Sequence, residues 1–283
     1  SLTISRAATG KKKILVAKGS YHGSAPWCTP VATGVVEEDT SNLIFFEYND
    51  LSSLEAAAQE SGNNLAGIIL TAFRHDVRRD QELPKKGFLK KARDICDSKN
   101  AFLILDDVRA GFRLNRNGSW FDYGIKPDLT AFSKAIGNGY PLSAVVGIEK
   151  LRKAASEIYV TGSFWCNATS MAASLKTLSI MEERDVVAHI SGLGDKLRSG
   201  IDQIASNNGV DISQSGPTQM PMVLFKDDKD FAKGSKFVQY LLSKGVYFHP
   251  WHNMFLSFAH TTEDVDFALD AVEYAMKKIS TEF

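Results

Sequence analysis

The chain has 283 residues, with 33 basic and 33 acidic side chains, 44% hydrophobic residues and three cysteines. A formal net charge of zero removes the sequence-independent attraction that nucleic-acid and anionic-membrane binders rely on, leaving small molecules and protein partners as the expected ligands. The length suffices for a core without a disulfide or metal staple, no apolar run is long enough for a membrane span, and the first residues do not read as a signal peptide, so a cytoplasmic protein is expected.

Residues 3–9 read as the end of a structured element, and with a start at Ser1 they suggest that an N-terminal portion is missing upstream. Short apolar runs at 14–17, 43–48, 67–70, 101–105 and 129–132 read as strands. Between them, 53–60 and 88–98 read as helices, with Leu54, Ala57 and Ala58 on one face of the first and Leu89, Ala92 and Cys96 on one face of the second. That alternation predicts an α/β fold with a layered, mostly parallel sheet flanked by helices. The run 144–148 follows its predecessor so closely, across Gly137-Asn138-Gly139-Tyr140-Pro141, that a hairpin is expected and the sheet becomes mixed. Residues 167–183 read as one long helix whose Met171, Leu175, Leu178 and Met181 are expected to pack in a core. Beyond it the pattern gives helices at 186–206, 230–243 and 264–278 and strands near 210–212, 220–225, 246–249 and 255–258. The expected organisation is a large sheet domain over 1–166, a connecting helix over 167–185 and a small C-terminal α+β domain over 186–283.

Chemistry concentrates where two apolar runs end abruptly. One ends in Asp106-Asp107-Val108, the other in Ser133-Lys134, with Asp106 and Lys134 28 residues apart. That separation accommodates a crossover between parallel strands, which would bring both residues to the carboxyl edge of the sheet, where open α/β sheets bind ligands. A carboxylate and a lysine facing one crevice suit pyridoxal 5'-phosphate (PLP), which needs an imine-forming amine and an acidic partner for its ring nitrogen. Taken alone, Asp106 reads equally as a cap or turn residue and Lys134 as a solvated lysine.

These segments, with Tyr21-His22-Gly23, Gly111-Phe112-Arg113, Pro127-Asp128-Leu129, Gly137-Asn138-Gly139-Tyr140-Pro141 and Thr161-Gly162-Ser163 before Asn167, resemble the class III, fold-type I PLP-dependent aminotransferases, most closely the glutamate-1-semialdehyde 2,1-aminomutase branch. The resemblance extends from residue 5 to nearly the C-terminus. It implies a Schiff-base and proton-shuttling role for Lys134, and Asp106 holding the ring nitrogen protonated. It also implies Val108 and Tyr21 against the two ring faces, and Ser163 reaching the cofactor phosphate across a homodimer interface. His22 would sit beside the ring or be a hydrogen-bonded structural histidine. Three departures point to an unusual substrate: Asp107 replaces a glutamate, Thr71-Ala72 replaces Glu-Pro, and Ala168 replaces a proline. A phosphate-cradling segment of relatives would precede Ser1.

Amino transfer between a small amine or amino acid and a carbonyl compound is the expected reaction. The same cofactor would also serve a decarboxylase, a racemase or a carbon-carbon bond-forming enzyme, and a non-catalytic binding subunit is the alternative of another class. His249, His252 and His260 cluster without a completing ligand set, so no metal is expected, and Cys28, Cys96 and Cys166 show no paired spacing. Tyr140-Pro141 and Phe164-Trp165 are expected to pack. Arg74 and Arg109 could meet a substrate carboxylate, although surface salt bridges account for them equally. No hydrolase nucleophile elbow, phosphate-binding loop or dinucleotide fingerprint is present.

Overall fold

The computed structural model describes residues 1–29 and 31–283. Two compact units form, one from residues 1–74 with 84–183 and the other from 75–83 with 184–283. The first contains α1 (Leu2–Thr9), β1 (Lys13–Ala17), α2 (Glu37–Thr40), β2 (Leu43–Phe46), α3 (Leu51–Glu60), β3 (Leu65–Thr71), α4 (Lys86–Ser98), β4 (Phe102–Asp106), β5 (Leu129–Phe132), β6 (Ala144–Gly147), α5 (Arg152–Glu157) and α6 (Ala168–Glu183). The second contains α7 (Val186–Asn207), β7 (Ile212–Ser215), β8 (Met222–Phe225), α8 (Ala232–Leu242) and α9 (Thr262–Glu282).

In the first unit the strands form one sheet in the order β2-β1-β3-β4-β5-β6. Every neighbouring pair is parallel except β5 and β6, so the expected hairpin and mixed sheet are present. All seven residues of β3 are buried, as a central strand covered on both faces requires. Ile14 and Val16 point to the side of Leu2 and Ile4 of α1 and Ala154 of α5. On α3 and α4 the buried residues include Leu54, Ala57 and Ala58 and Phe88, Leu89, Ala92 and Cys96. Burying each large apolar side chain contributes about 1.5–3 kcal/mol.

α6 departs from expectation. Its buried residues are Ser170, Ser174 and Met181, whereas Met171 and Leu175 are 42% and 70% exposed. The helix lays its small-residue side on the chain and turns the first half of its apolar row, Met171 and Leu175, outward. Tyr140, Phe164 and Trp165, expected to pack, are also exposed.

The second unit has its own core, in which Leu193, Leu197 and Ile201 of α7 meet Phe237 and Leu241 of α8 and Val272, Ala275 and Met276 of α9. β7 and β8 pair antiparallel. β7 starts at Ile212, later than expected, because the Val210 N–H is used to close α7 on the Ala205 carbonyl. The expected strands at 246–249 and 255–258 do not form. Met254 and Leu256 donate to the carbonyls of Pro221 and Gln219, but Pro221 has no N–H to return, so the ladder cannot propagate. No helix among the described residues is long and apolar enough to cross a membrane.

Candidate active site

The register of β4 and β5 runs from Ile104 opposite Leu129 to Asp106 opposite Ala131. Asp128 fixes it at the near end. Its N–H donates to the Leu103 carbonyl at 2.8 Å, and its carboxylate accepts from the Leu103 N–H and from Arg93, both at 2.7 Å. This anchoring explains the Pro-Asp that opens β5, for which sequence reasoning had only a motif. Asp106 then closes β4, and Lys134 follows just beyond the end of β5.

The Asp106 carboxylate divides its two oxygens. Oδ1 accepts the Val108 N–H at 3.1 Å, and Oδ2 lies 2.7 Å from His22 Nδ1. An ionised carboxylate only accepts, so Nδ1 carries the hydrogen. The His22 side chain is 1% exposed, its ring stacks on Trp27 with centroids 5.9 Å apart and planes at 17°, and its buried Nε2 has no hydrogen-bond partner among the described residues. Cys28 is close enough that the Asp106 charge adds to the burial that raises its thiol pKa.

Asp107, one residue on, serves the fold. It is fully buried, and its carboxylate accepts the Ser119 hydroxyl at 2.5 Å and the Ser119 N–H at 3.0 Å. Burial pushes its pKa up to about 6 against those two hydrogen bonds, with the Asp106 charge adding to the rise. The shorter acid thus finds a partner, and the turn 107–119 is clamped at both ends. Gly111 sits where a Cβ would come within 2.8 Å of the Phe132 ring, and Phe112, at φ 65, lays its ring on Phe132 with centroids 5.0 Å apart. Thr71 and Ala72 are likewise engaged within the chain: the Thr71 hydroxyl donates to the Phe73 carbonyl, and the Ala72 carbonyl accepts from the buried Trp120 indole.

Lys134 has φ 52, a left-handed conformation that costs a non-glycine residue about 1–2 kcal/mol. Its carbonyl accepts the N–H groups of Gly137 and Asn138 at 3.1 and 2.9 Å, so Gly137-Asn138-Gly139 holds it in that turn. Burial pushes the Lys134 amine below the ordinary lysine value, Arg109 and Arg113 push the same way, and Asp106 opposes them.

The structure therefore brings Asp106, His22, Val108 and Lys134 to one region. Tyr21 is half exposed beside His22. Ser163 lies on an exposed turn before α6 and makes no hydrogen bond within the described residues. Trp27, which backs His22, gave no sequence signal. Asn167 caps α6 through the Ser170 N–H at 3.1 Å. The donor set fits PLP: a carboxylate for a ring N–H, an amine displaced toward its neutral form, and a buried imidazole nitrogen with no partner of its own.

The three C-terminal histidines are engaged locally. His249 Nδ1 and His260 Nδ1 accept the N–H groups of Trp251 and Ser257, and His252 Nδ1 faces the Asn253 carbonyl. They border a cavity of about 650 Å³, and no set of three His, Cys, Asp or Glu groups among the described residues is arranged to hold a metal.

The family model described as "Aminotransferase class-III" matches residues 1–276. The aminopentol aminotransferase of Sphingopyxis macrogoltabida is 43% identical over the whole chain, which spans 67% of that protein. Glutamate-1-semialdehyde 2,1-aminomutase 2 of Bacillus pumilus is 31% identical, with 99% of this chain and 70% of that protein aligned. The solved structure of the FumI protein of Sphingopyxis sp. MTA144, in its PLP internal aldimine form, superposes with a TM-score of 0.98 at 43% identity, covering 100% of this chain and 68% of that one. With the Asp106 and Lys134 strand ends in place, the chain belongs to the class III aminotransferase family of PLP-dependent enzymes.

Proposed function

We propose that this chain transfers an amino group between a small amine or amino acid and a carbonyl compound, with Lys134 as the amine that bonds the PLP aldehyde. The observation that carries this reading is the Asp106–His22 pair beside Lys134 at the ends of neighbouring strands. When bound, PLP supplies an electron sink for negative charge at the substrate α-carbon. Asp106 would hold the proton on the ring nitrogen by a charge-assisted hydrogen bond, and the His22 Nδ1–H contact aims its carboxylate. The Lys134 amine would accept the proton from the substrate α-carbon, becoming an ammonium, and give it back to the reacting system before the cycle ends. Val108 and Tyr21 flank the ring. The aminopentol specificity in the name of the 43% identical relative makes aminopentol the first donor to screen.

Ser163 serves a neighbouring copy's cofactor phosphate in a homodimer, a role supported by the exposed aromatic surface around it. The same proposal takes 1–166 as belonging to the cofactor-binding domain, 167–185 as the connecting helix and 186–283 as the small domain. Three cysteines present as free thiols agree with a cytoplasmic setting.

Borohydride reduction in the presence of PLP should leave a pyridoxyl group on Lys134, identified by peptide mass spectrometry. A label on another lysine would end the proposal. Mixing Lys134→Ala and Ser163→Ala chains tests the dimer: a site shared between copies restores activity in the mixture, and a self-contained one does not.

A further inference from the structure

His22 reaches Asp106 with one nitrogen only. The contact between Nδ1 and Oδ2, 2.7 Å long, fixes a distance and a direction, but a ring held by one hydrogen bond can still turn about it. The other nitrogen gives no second hold, because Nε2 is buried without a hydrogen-bond partner among the described residues. Packing must then set the plane of the imidazole. The ring stacked on it is the Trp27 indole, with centroids 5.9 Å apart and planes at 17°, within the range over which offset rings attract.

Trp27 is itself firmly placed. It sits in a turn whose Ala25 carbonyl accepts the N–H groups of both Cys28 and Thr29, at 2.9 and 3.0 Å. The indole also packs against the core cluster that contains Leu2, Ile4 and Val16. At the far end of this line of contacts, Asp106 Oδ1 is tied to the Val108 N–H at 3.1 Å, so the oxygen whose aim depends on His22 is Oδ2. We propose that Trp27 is a positioning residue: its indole face holds the plane of the His22 ring and, through Nδ1–H, the aim of the Asp106 carboxylate. This rests on the reading of Asp106 as the partner of the PLP ring nitrogen.

The test is nuclear magnetic resonance of the full chain with 15N-labelled histidine rings, first freed of cofactor, with His22→Asn identifying the His22 signals. In the unmodified chain His22 should carry its hydrogen on Nδ1 and exchange it slowly with water. Trp27→Leu keeps an apolar side chain against the core and removes the flat face. It should speed that exchange about 2- to 10-fold, the range an aromatic pair supports, and Trp27→Phe, which keeps a ring face, should restore most of the protection. Added 15N-labelled PLP reads the other end: its ring nitrogen should be protonated in the unmodified chain and less so in Trp27→Leu. A folded Trp27→Leu chain that leaves either signal unaltered overturns the proposal. Should that variant not fold, the unmodified chain decides: cross-relaxation between Trp27 and His22 ring protons together with slow Nδ1–H exchange supports the proposal, and the absence of either overturns it. A PLP ring nitrogen found unprotonated in the unmodified chain would remove the reading of Asp106, and the cofactor-free exchange comparison would still decide whether Trp27 holds His22.

Discussion

Two stretches of the first unit, the turn 107–119 and the segment 159–175, are both rich in aromatic and polar residues and differ in what fixes them. In the turn, Asp107 is buried on Ser119, Gly111 has no room for a side chain, and Phe112 packs on Phe132. In the segment, Tyr159 is 92% and Phe164 84% exposed, and Trp165, Met171 and Leu175 also face outward. The first is determined by contacts within the chain. The second presents an apolar surface of the kind that marks an interaction site. The fold fixes the first wall, and the homodimer proposed above assigns the second to association.

The strongest break of this contrast is Lys134→Ala. It should lower amino transfer at least ~100-fold and leave thermal stability undiminished, because the turn does not depend on the lysine side chain; a matching loss of stability would contradict this. Next comes Gly111→Ala, which drives a methyl into Phe132 and should destabilise by about 1–3 kcal/mol in urea unfolding.

Asp107→Asn sharpens the comparison through pH. The folded-state pKa of Asp107, about 6, lies above its ordinary 3.8, so the folded chain holds this proton more tightly than the unfolded one. Its stabilising contribution is complete below about pH 4 and is lost as pH rises through about 6. Asparagine keeps an acceptor for the Ser119 N–H and never ionises. The variant should flatten the unfolding free energy from urea titrations across that window by up to about 3 kcal/mol relative to the parent, and a parallel curve would refute the assignment. Smallest in stability is Phe164→Ser with Leu175→Ser, expected within about 0.5 kcal/mol for the isolated chain yet lowering self-association in analytical ultracentrifugation.

The sheet was legible because apolar runs ending in a charged residue announce both a strand and its edge. Asp106 and Lys134 stood out for that reason, and the short Gly-Asn-Gly-Tyr-Pro connection announced the antiparallel β6. The partners that tune those residues were not visible. His22 meets Asp106 across 84 positions, and Trp27 and Ser119 are ordinary until the fold delivers them. Periodicity located the apolar row of α6 but not what covers it, so Met171 and Leu175 were assigned to a core they do not join. At 255–258 the residue types favour a strand, while the missing N–H of Pro221 prevents the ladder, an effect of the neighbouring segment that the local pattern does not carry.

The backbone of Lys134 has a further consequence. A lysine held at φ 52 occupies a conformation that glycine adopts freely and asparagine tolerates. Selection for stability alone would exchange it, so screens for thermostable variants of this chain should enrich Lys134→Gly or Lys134→Asn among inactive survivors. The residue proposed to do the chemistry is one the fold would be more comfortable without, and any engineering of this scaffold has to hold that position fixed against its own drift.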